Sequence, residues 1–160
     1  MQTYSKAEDG PIVSQNAAGA FSRAISIPRT WGTQQTMVDY EITPPPDRLA
    51  DRVQIRTAFS TDRGEVRRFM IQLEYWLDGE WVEVVRYDHD ASGEGGHDVT
   101  EEGLHRDVYR EGAKLRSESV SGPIPANDAF EHAEEDLREN AERFIKRFEQ
   151  WHDIRDRTNL

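Results

Sequence analysis

"VRRFMIQLEYWLDGEWVEVVRY" occupies residues 66–87. Two apolar-rich runs of alternating residues flank a single Asp78-Gly79 pair. Both central positions of a two-residue hairpin turn need positive φ, and Asp-Gly supplies it, so the pair predicts a tight β-hairpin. The turn sets the register. Leu77 should face Glu80, Trp76 should face Trp81, and Tyr75 should face Val82. Glu74 should then face Glu83, Leu73 should face Val84, and Ile71 should face Arg86. Side chains alternate between faces with period two. Phe69, Ile71, Leu73, Tyr75, Val82 and Val84 are thus the predicted core face. Met70, Gln72, Glu74, Trp76, Trp81, Glu83, Val85 and Tyr87 are the other.

Working outward, "VQIRTAFST" (53–61) alternates and is joined to the hairpin by "DRG". "GLHRDVYREGAKLRSESV" predicts a second hairpin turning at Glu111-Gly112. The same arithmetic pairs Tyr109 with Lys114, Val108 with Leu115, Asp107 with Arg116 and His105 with Glu118. After Pro125 the period changes. Phe130, Leu137, Phe144 and Trp151 recur every seven residues, with Ala133, Ala141 and Phe148 between them. This is one apolar stripe on a long helix. Asn127 or Asp128 is its expected cap, and Glu131 completes a capping box with Asp128. Over 128–155 such a helix is about 42 Å long, and eight-residue strands span only about 27 Å. The expected overhang leaves Phe148, Trp151 and Ile154 to be covered by the N-terminal hairpin or by a second subunit, a homodimer.

Residues 1–19 have no periodicity and are expected to form a mobile tail. "AFSRAISIP" and "TMVDYEIT" alternate and predict an N-terminal hairpin, closed by the stiff "PPP" of 44–46. The expectation is therefore a tail (1–19), a hairpin with a proline linker (20–46), and one α+β domain (47–160). In that domain an antiparallel meander of about five strands packs on a long C-terminal helix.

Composition narrows the function. The 160 residues suit one domain with a real core. No cysteine is present, which excludes disulfides, thiolate metal sites and cysteine nucleophiles. No run of 18 apolar residues and no secretory leader pattern occurs, so the expected location is the cytoplasm, with no membrane partner. The net charge is −11, with seventeen Arg against three Lys. That balance fits a salt-adapted or high-GC organism, and the acidic surface disfavours nucleic acid at long range.

Three groups of residues could carry function. The stretch 84–112 holds His89, His97 and His105 and four aspartates. Asp88, His105 and Asp107 sit at strand ends and are the candidate acid–base or metal-binding set. Their spacing matches no metal signature, so metal and cofactor are left open. Ordinary cross-strand pairs account for the same residues, and the glycine-rich loop "ASGEGGHDVTEEG" is expected to be mobile. Secondly, Trp76, Trp81, Glu74, Glu83 and Tyr87 offer a partner surface. Thirdly, Arg67 and Arg68 belong to the one electropositive zone, 47–69, which could meet RNA phosphates or simply form salt links.

"RFMIQLEYWLDGEWVEVVRYDHD", "LHRDVYREG" and "AFEHAEEDLRENAERFIKRFEQ" together resemble a family of small archaeal and bacterial domains of unknown function. Its pattern is a strand pair ending in Arg-Tyr-Asp, a His-containing loop, a His-x-Asp strand and a Glu-rich terminal helix. Some relatives are TumE-type toxins of toxin–antitoxin pairs. The likeness spans roughly residues 66–150 and maps Arg86, Tyr87 and Asp88 onto the first motif, and His105 and Asp107 onto the second. Here the intervening loop is longer, so His97-Asp98 also fits the second motif. Two functions are therefore expected: a small non-catalytic interaction or regulatory protein, as in a toxin–antitoxin-type pair, or a metal-dependent enzyme acting on RNA or a nucleotide.

Overall fold

A computed structural model describes residues 40–92, 96–156, 158 and 160. The predicted tail and most of the N-terminal hairpin lie outside these residues. The chain forms β1 (Asp47–Ala50), β2 (Val53–Asp62), β3 (Glu65–Leu77), β4 (Glu80–Asp90), α1 (Val99–Glu102), β5 (His105–Arg110), β6 (Ala113–Ser119) and α2 (Ala126–Trp151). The strands make one antiparallel sheet in the order β1-β2-β3-β4-β5-β6. The α+β meander on a terminal helix is thus as expected, with six strands rather than about five. The additional strand, β1, has only four residues and too little alternation to read. It shares the outer edge of β2 with Ile42, whose backbone exchanges two hydrogen bonds with Phe59 (3.0 and 2.9 Å). The three prolines lie between these contacts, at a sheet edge, where a missing N–H costs least.

The turns fall where expected. Asp78 and Gly79 have φ of 53° and 90°, and Glu111 and Gly112 have 54° and 73°. From the first turn the register holds through Leu77↔Glu80, Trp76↔Trp81, Tyr75↔Val82 and Glu74↔Glu83. Then β4 carries one extra residue, Val84, and Leu73 pairs with Val85 instead. A bulge of this kind flips every later side chain. Ile71 faces Tyr87, not Arg86, and Gln72 faces Arg86. The expected outward placement of Val85 and Tyr87 is overturned, since both are fully buried on the core side. Leu115 is a second extra residue. Beyond it Val108 faces Arg116, Asp107 faces Ser117, and His105 faces Ser119, which replaces the expected partners.

Helix α2 runs alongside β3 from one end to the other. Phe130 meets Phe59 and Phe69 at ring separations of 5.2 and 5.5 Å, and Phe148 meets Tyr75 at 5.2 Å. Leu137, Phe144 and Ile145 fill the middle. The expected side-chain cap is absent, because the helix begins at Ala126 after an N-cap Pro125. Asn127 instead accepts from the Val66 N–H (2.8 Å) and donates to the Gly64 carbonyl (3.2 Å), pinning the first turn to the β2–β3 hairpin. No overhang develops either. The 26 helical residues reach about 39 Å, and the 13 residues of β3 reach about 43 Å. Phe148 is buried by its own chain, and Trp151 and Ile154 are half-buried. The backbone beyond the helix folds back, with Ile154 N–H donating to the Glu149 carbonyl and Thr158 N–H to its carboxylate. The helix end is thus covered in part by its own chain. Among the described residues no helix is long and apolar enough to cross a membrane.

Candidate functional site

Past the Val84 bulge, Arg86, Asp88 and Asp90 point away from α2, as do His105, Asp107 and Tyr109 on β5. Arg86 pairs with Asp107 and Tyr87 with Arg106, so the next step of the ladder sets Asp88 across from His105. The three candidates Asp88, His105 and Asp107 do share one face and adjacent strands. Asp107 is 9% exposed and fully engaged: Lys114 Nζ lies at 3.1 Å and the Ser117 hydroxyl donates to its other oxygen. Asp88 is 3.7 Å from Arg86 Nε. Burial lowers the basicity of His105 and neighbouring His97 adds to that, against the pull of Asp107 and Asp88.

The loop that should have been mobile is tied down in its described part. Asp98 caps α1, accepting from the N–H (2.9 Å) and hydroxyl (2.6 Å) of Thr100. Val99 and Leu104 are fully buried. Gly103, with φ of 83°, lies so close to the backbone of Ser121 that a Cβ would sit 2.4 Å from that carbonyl oxygen. His97 Nε2 donates to the Gly103 carbonyl (2.8 Å), and its ring centroid is 3.6 Å from that of His105. His89 is 2% exposed, beneath Phe69, and burial lowers its basicity. Its Nδ1 accepts from the Val99 N–H (3.3 Å). These histidines are built into the framework. Among the described residues no group of three His, Asp or Glu is placed to hold a metal ion.

On the same outer face, Glu74 stands directly across from Glu83. Like charges so placed repel, and the donors around them decide the outcome. Glu74, 3% exposed, accepts from Gln54 (2.7 Å) and Gln72 (2.7 Å) and meets Arg56 at 2.7 Å. Among the described residues Glu83 is ion-paired only with Arg86, at 3.8 Å. Burial pushes its carboxyl up, and Glu74 adds to the rise against Arg86. At the hairpin tip Trp76 lies edge-on to Trp81 (5.2 Å), and Arg48 sits 4.9 Å from the Trp81 ring. Trp76 remains 41% exposed. Arg67 pairs with Asp62 in solvent (3.1 Å), and Arg68 lies over the Tyr40 ring (5.7 Å). Tyr87 is absent from this surface. Its hydroxyl donates to Asp136 on α2, and burial holds the phenol far above its usual range.

A cluster that sequence reasoning missed lies on the helix side. Arg106 bridges Glu118 (2.8 Å) and Asp136 (2.6 Å), and Glu118 is shared by Arg116 (2.7 Å) and Arg147 (3.4 Å). Arg106, Arg143 and Arg147 surround the Phe144 ring at 5.1, 5.2 and 5.5 Å. The Arg143/Arg147 spacing beside Phe144 and Trp151 was visible in the sequence, but the Leu115 bulge hid that Arg116 faces them. Burial alone would raise the Glu118 carboxyl, but hydrogen bonds from Arg106 and Arg116 outweigh it and hold the value at about 2. The folded value is below the ordinary 4.5, so the stability it adds is complete above that and is lost as pH falls toward 2. Thermal melts should show this: the wild type loses Tm between pH 4.5 and 2, and Glu118→Gln, already less stable at pH 7, loses less over that window. Parallel melting curves for the two would refute the assignment.

No curated protein and no solved structure matches the chain. One family, described as a domain of unknown function, matches residues 37–154, a span that takes in all six strands, both helices and every side chain placed above. The chain belongs to the DUF7718 family.

Proposed function

We propose that the chain is a small non-catalytic interaction or regulatory protein of the cytoplasm that binds a protein partner at the Trp76–Trp81 corner. One observation carries this: Trp76 is 41% exposed at the tip of a hairpin on which the neighbouring Glu74 is already satisfied by Gln54, Gln72 and Arg56. A rigid, exposed indole on a strand is the residue type that anchors protein interfaces. The resemblance of residues 66–150 to a domain family with some TumE-type relatives supports a place in a two-protein, toxin–antitoxin-type pair.

The enzyme reading keeps one point in its favour, the placement of His105 beside Asp88 and Asp107 on one face. Against it, Asp107 is consumed by Lys114 and Ser117, and His105 is stacked on His97. Induction of the gene in a bacterial host, beside an Asp88→Ala/His105→Ala/Asp107→Ala variant shown by circular dichroism to fold, separates the readings. Equal growth of the two cultures is expected. Arrest by the wild type alone would favour the enzyme and make RNA integrity the next assay.

A further inference from the structure

Among the described residues β6 is the free edge of the sheet. Among the described residues it pairs with β5 alone, and residues 113–117 and 119 are exposed, with Leu115 49% exposed. An unpaired edge invites another strand. What this edge presents is cationic. Arg116 projects from it toward α2, where Arg143 and Arg147 stand one helical turn apart. Arg110 completes the wall, 5.6 Å from the Trp151 ring that Arg147 also covers at 5.2 Å. The rings fix the guanidiniums in place, so little side-chain entropy is left to lose on binding. With Arg106, five guanidiniums face three carboxylates, Glu111, Glu118 and Asp136, an excess of two positive charges in a chain of net charge −11. Mutual repulsion shows at Arg147, where burial first and then Arg116, Arg143 and Arg106 disfavour the charged form against Glu118. Among the described residues its Nη2 has no hydrogen-bond partner.

We propose that this edge receives an extended, acidic segment of a partner protein as a seventh strand, its alternate carboxylates meeting Arg116, Arg143 and Arg147. Spacing and charge both fit. Alternate residues of a strand repeat at about 6.8 Å, and residues four apart on a helix rise about 6 Å. Lys114 and Arg116 on the edge itself repel a basic strand and accept an acidic one. Single-stranded nucleic acid fits less well, because the faces of Phe144 and Trp151 are occupied by arginines and cannot stack bases. A backbone edge with both N–H and C=O groups open is matched in register by another extended polypeptide.

The inference rests on the interaction reading and refines the chemistry of the partner. The surface is distinct from Trp76, so loss of this site with a Trp76-dependent partner intact would sink this inference alone. The test uses the full chain and a labelled eight-residue peptide of alternating glutamate and valine, read by fluorescence anisotropy. The peptide should bind, and binding should weaken about tenfold or more in Arg116→Glu/Arg143→Glu and also on raising salt from about 50 to 500 mM. Both side chains are exposed, and Arg143→Gln alone serves if the double variant unfolds. Amide exchange at 113–119 should slow with peptide bound. No binding, binding indifferent to the substitutions, or unchanged exchange would overturn the proposal. So would tighter binding of an oligouridylate that depends on the same arginines.

Discussion

Replacing Phe144 with alanine will lower the free energy of unfolding by about 3–5 kcal/mol, read as a fall in the urea midpoint at constant slope. Phe144 is fully buried in the middle of α2, between the sheet and the arginine cluster. Truncation removes the transfer free energy of the ring and leaves a cavity that a sheet on one side and a helix on the other cannot close. It also removes the surface on which Arg106, Arg143 and Arg147 rest. Each exposed cation–π contact adds about 0.5–1 kcal/mol. Phe144→Leu isolates that part, since it keeps most of the volume and should cost about 1–2 kcal/mol. A loss below about 1 kcal/mol for Phe144→Ala would mean that α2 is not seated as described.

Arg106→Met will cost about 3 kcal/mol, the effect of stranding carboxylates in a poorly solvated site. The Arg106 side chain is 14% exposed, and its partners Glu118 and Asp136 are 22% and 17% exposed. Glu118 retains Arg116 and Arg147. Among the described residues Asp136 retains only the Tyr87 hydroxyl and the Asn140 amide, and without Arg106 its charge has no cation beside it there. The expected rescue is therefore specific: adding Asp136→Asn should recover most of the loss, and adding Glu118→Gln should recover less. Denaturant titration of the three variants reads this directly. Equal rescue by both would contradict the assignment.

The outline of the fold was legible because the strongest local signals are chemical. Asp78-Gly79 and Glu111-Gly112 can hold positive φ, and the heptad spacing from Phe130 to Trp151 has one amphipathic solution. What alternation could not reveal was where it breaks. Val84 and Val85 are both apolar and both buried, so nothing in their identity marks the extra residue between Glu83 and Arg86. That one residue moved Tyr87 from the partner surface into the core and brought Arg86 and Asp88 outward. Leu115 did the same for Arg116. The proposed Asp88, His105 and Asp107 set survived as neighbours, because Asp88 lies beyond one bulge and the two β5 residues precede the other. Asn127 was read as a cap from its position. Its bonds run instead to the hairpin 61 to 63 residues earlier, a tertiary contact with no local trace. The arginine cluster needed the same long-range information, because its members come from β5, β6 and α2.

The most direct test of the interaction reading is affinity capture from cells that carry the gene, with wild type, Trp76→Ala and the Asp88→Ala/His105→Ala/Asp107→Ala variant in parallel. Trp76→Ala should fold as the wild type does and lose the captured partner protein, and the triple variant should retain it. Retention by Trp76→Ala with loss in the triple variant would contradict the interaction reading and return function to the histidine–aspartate face.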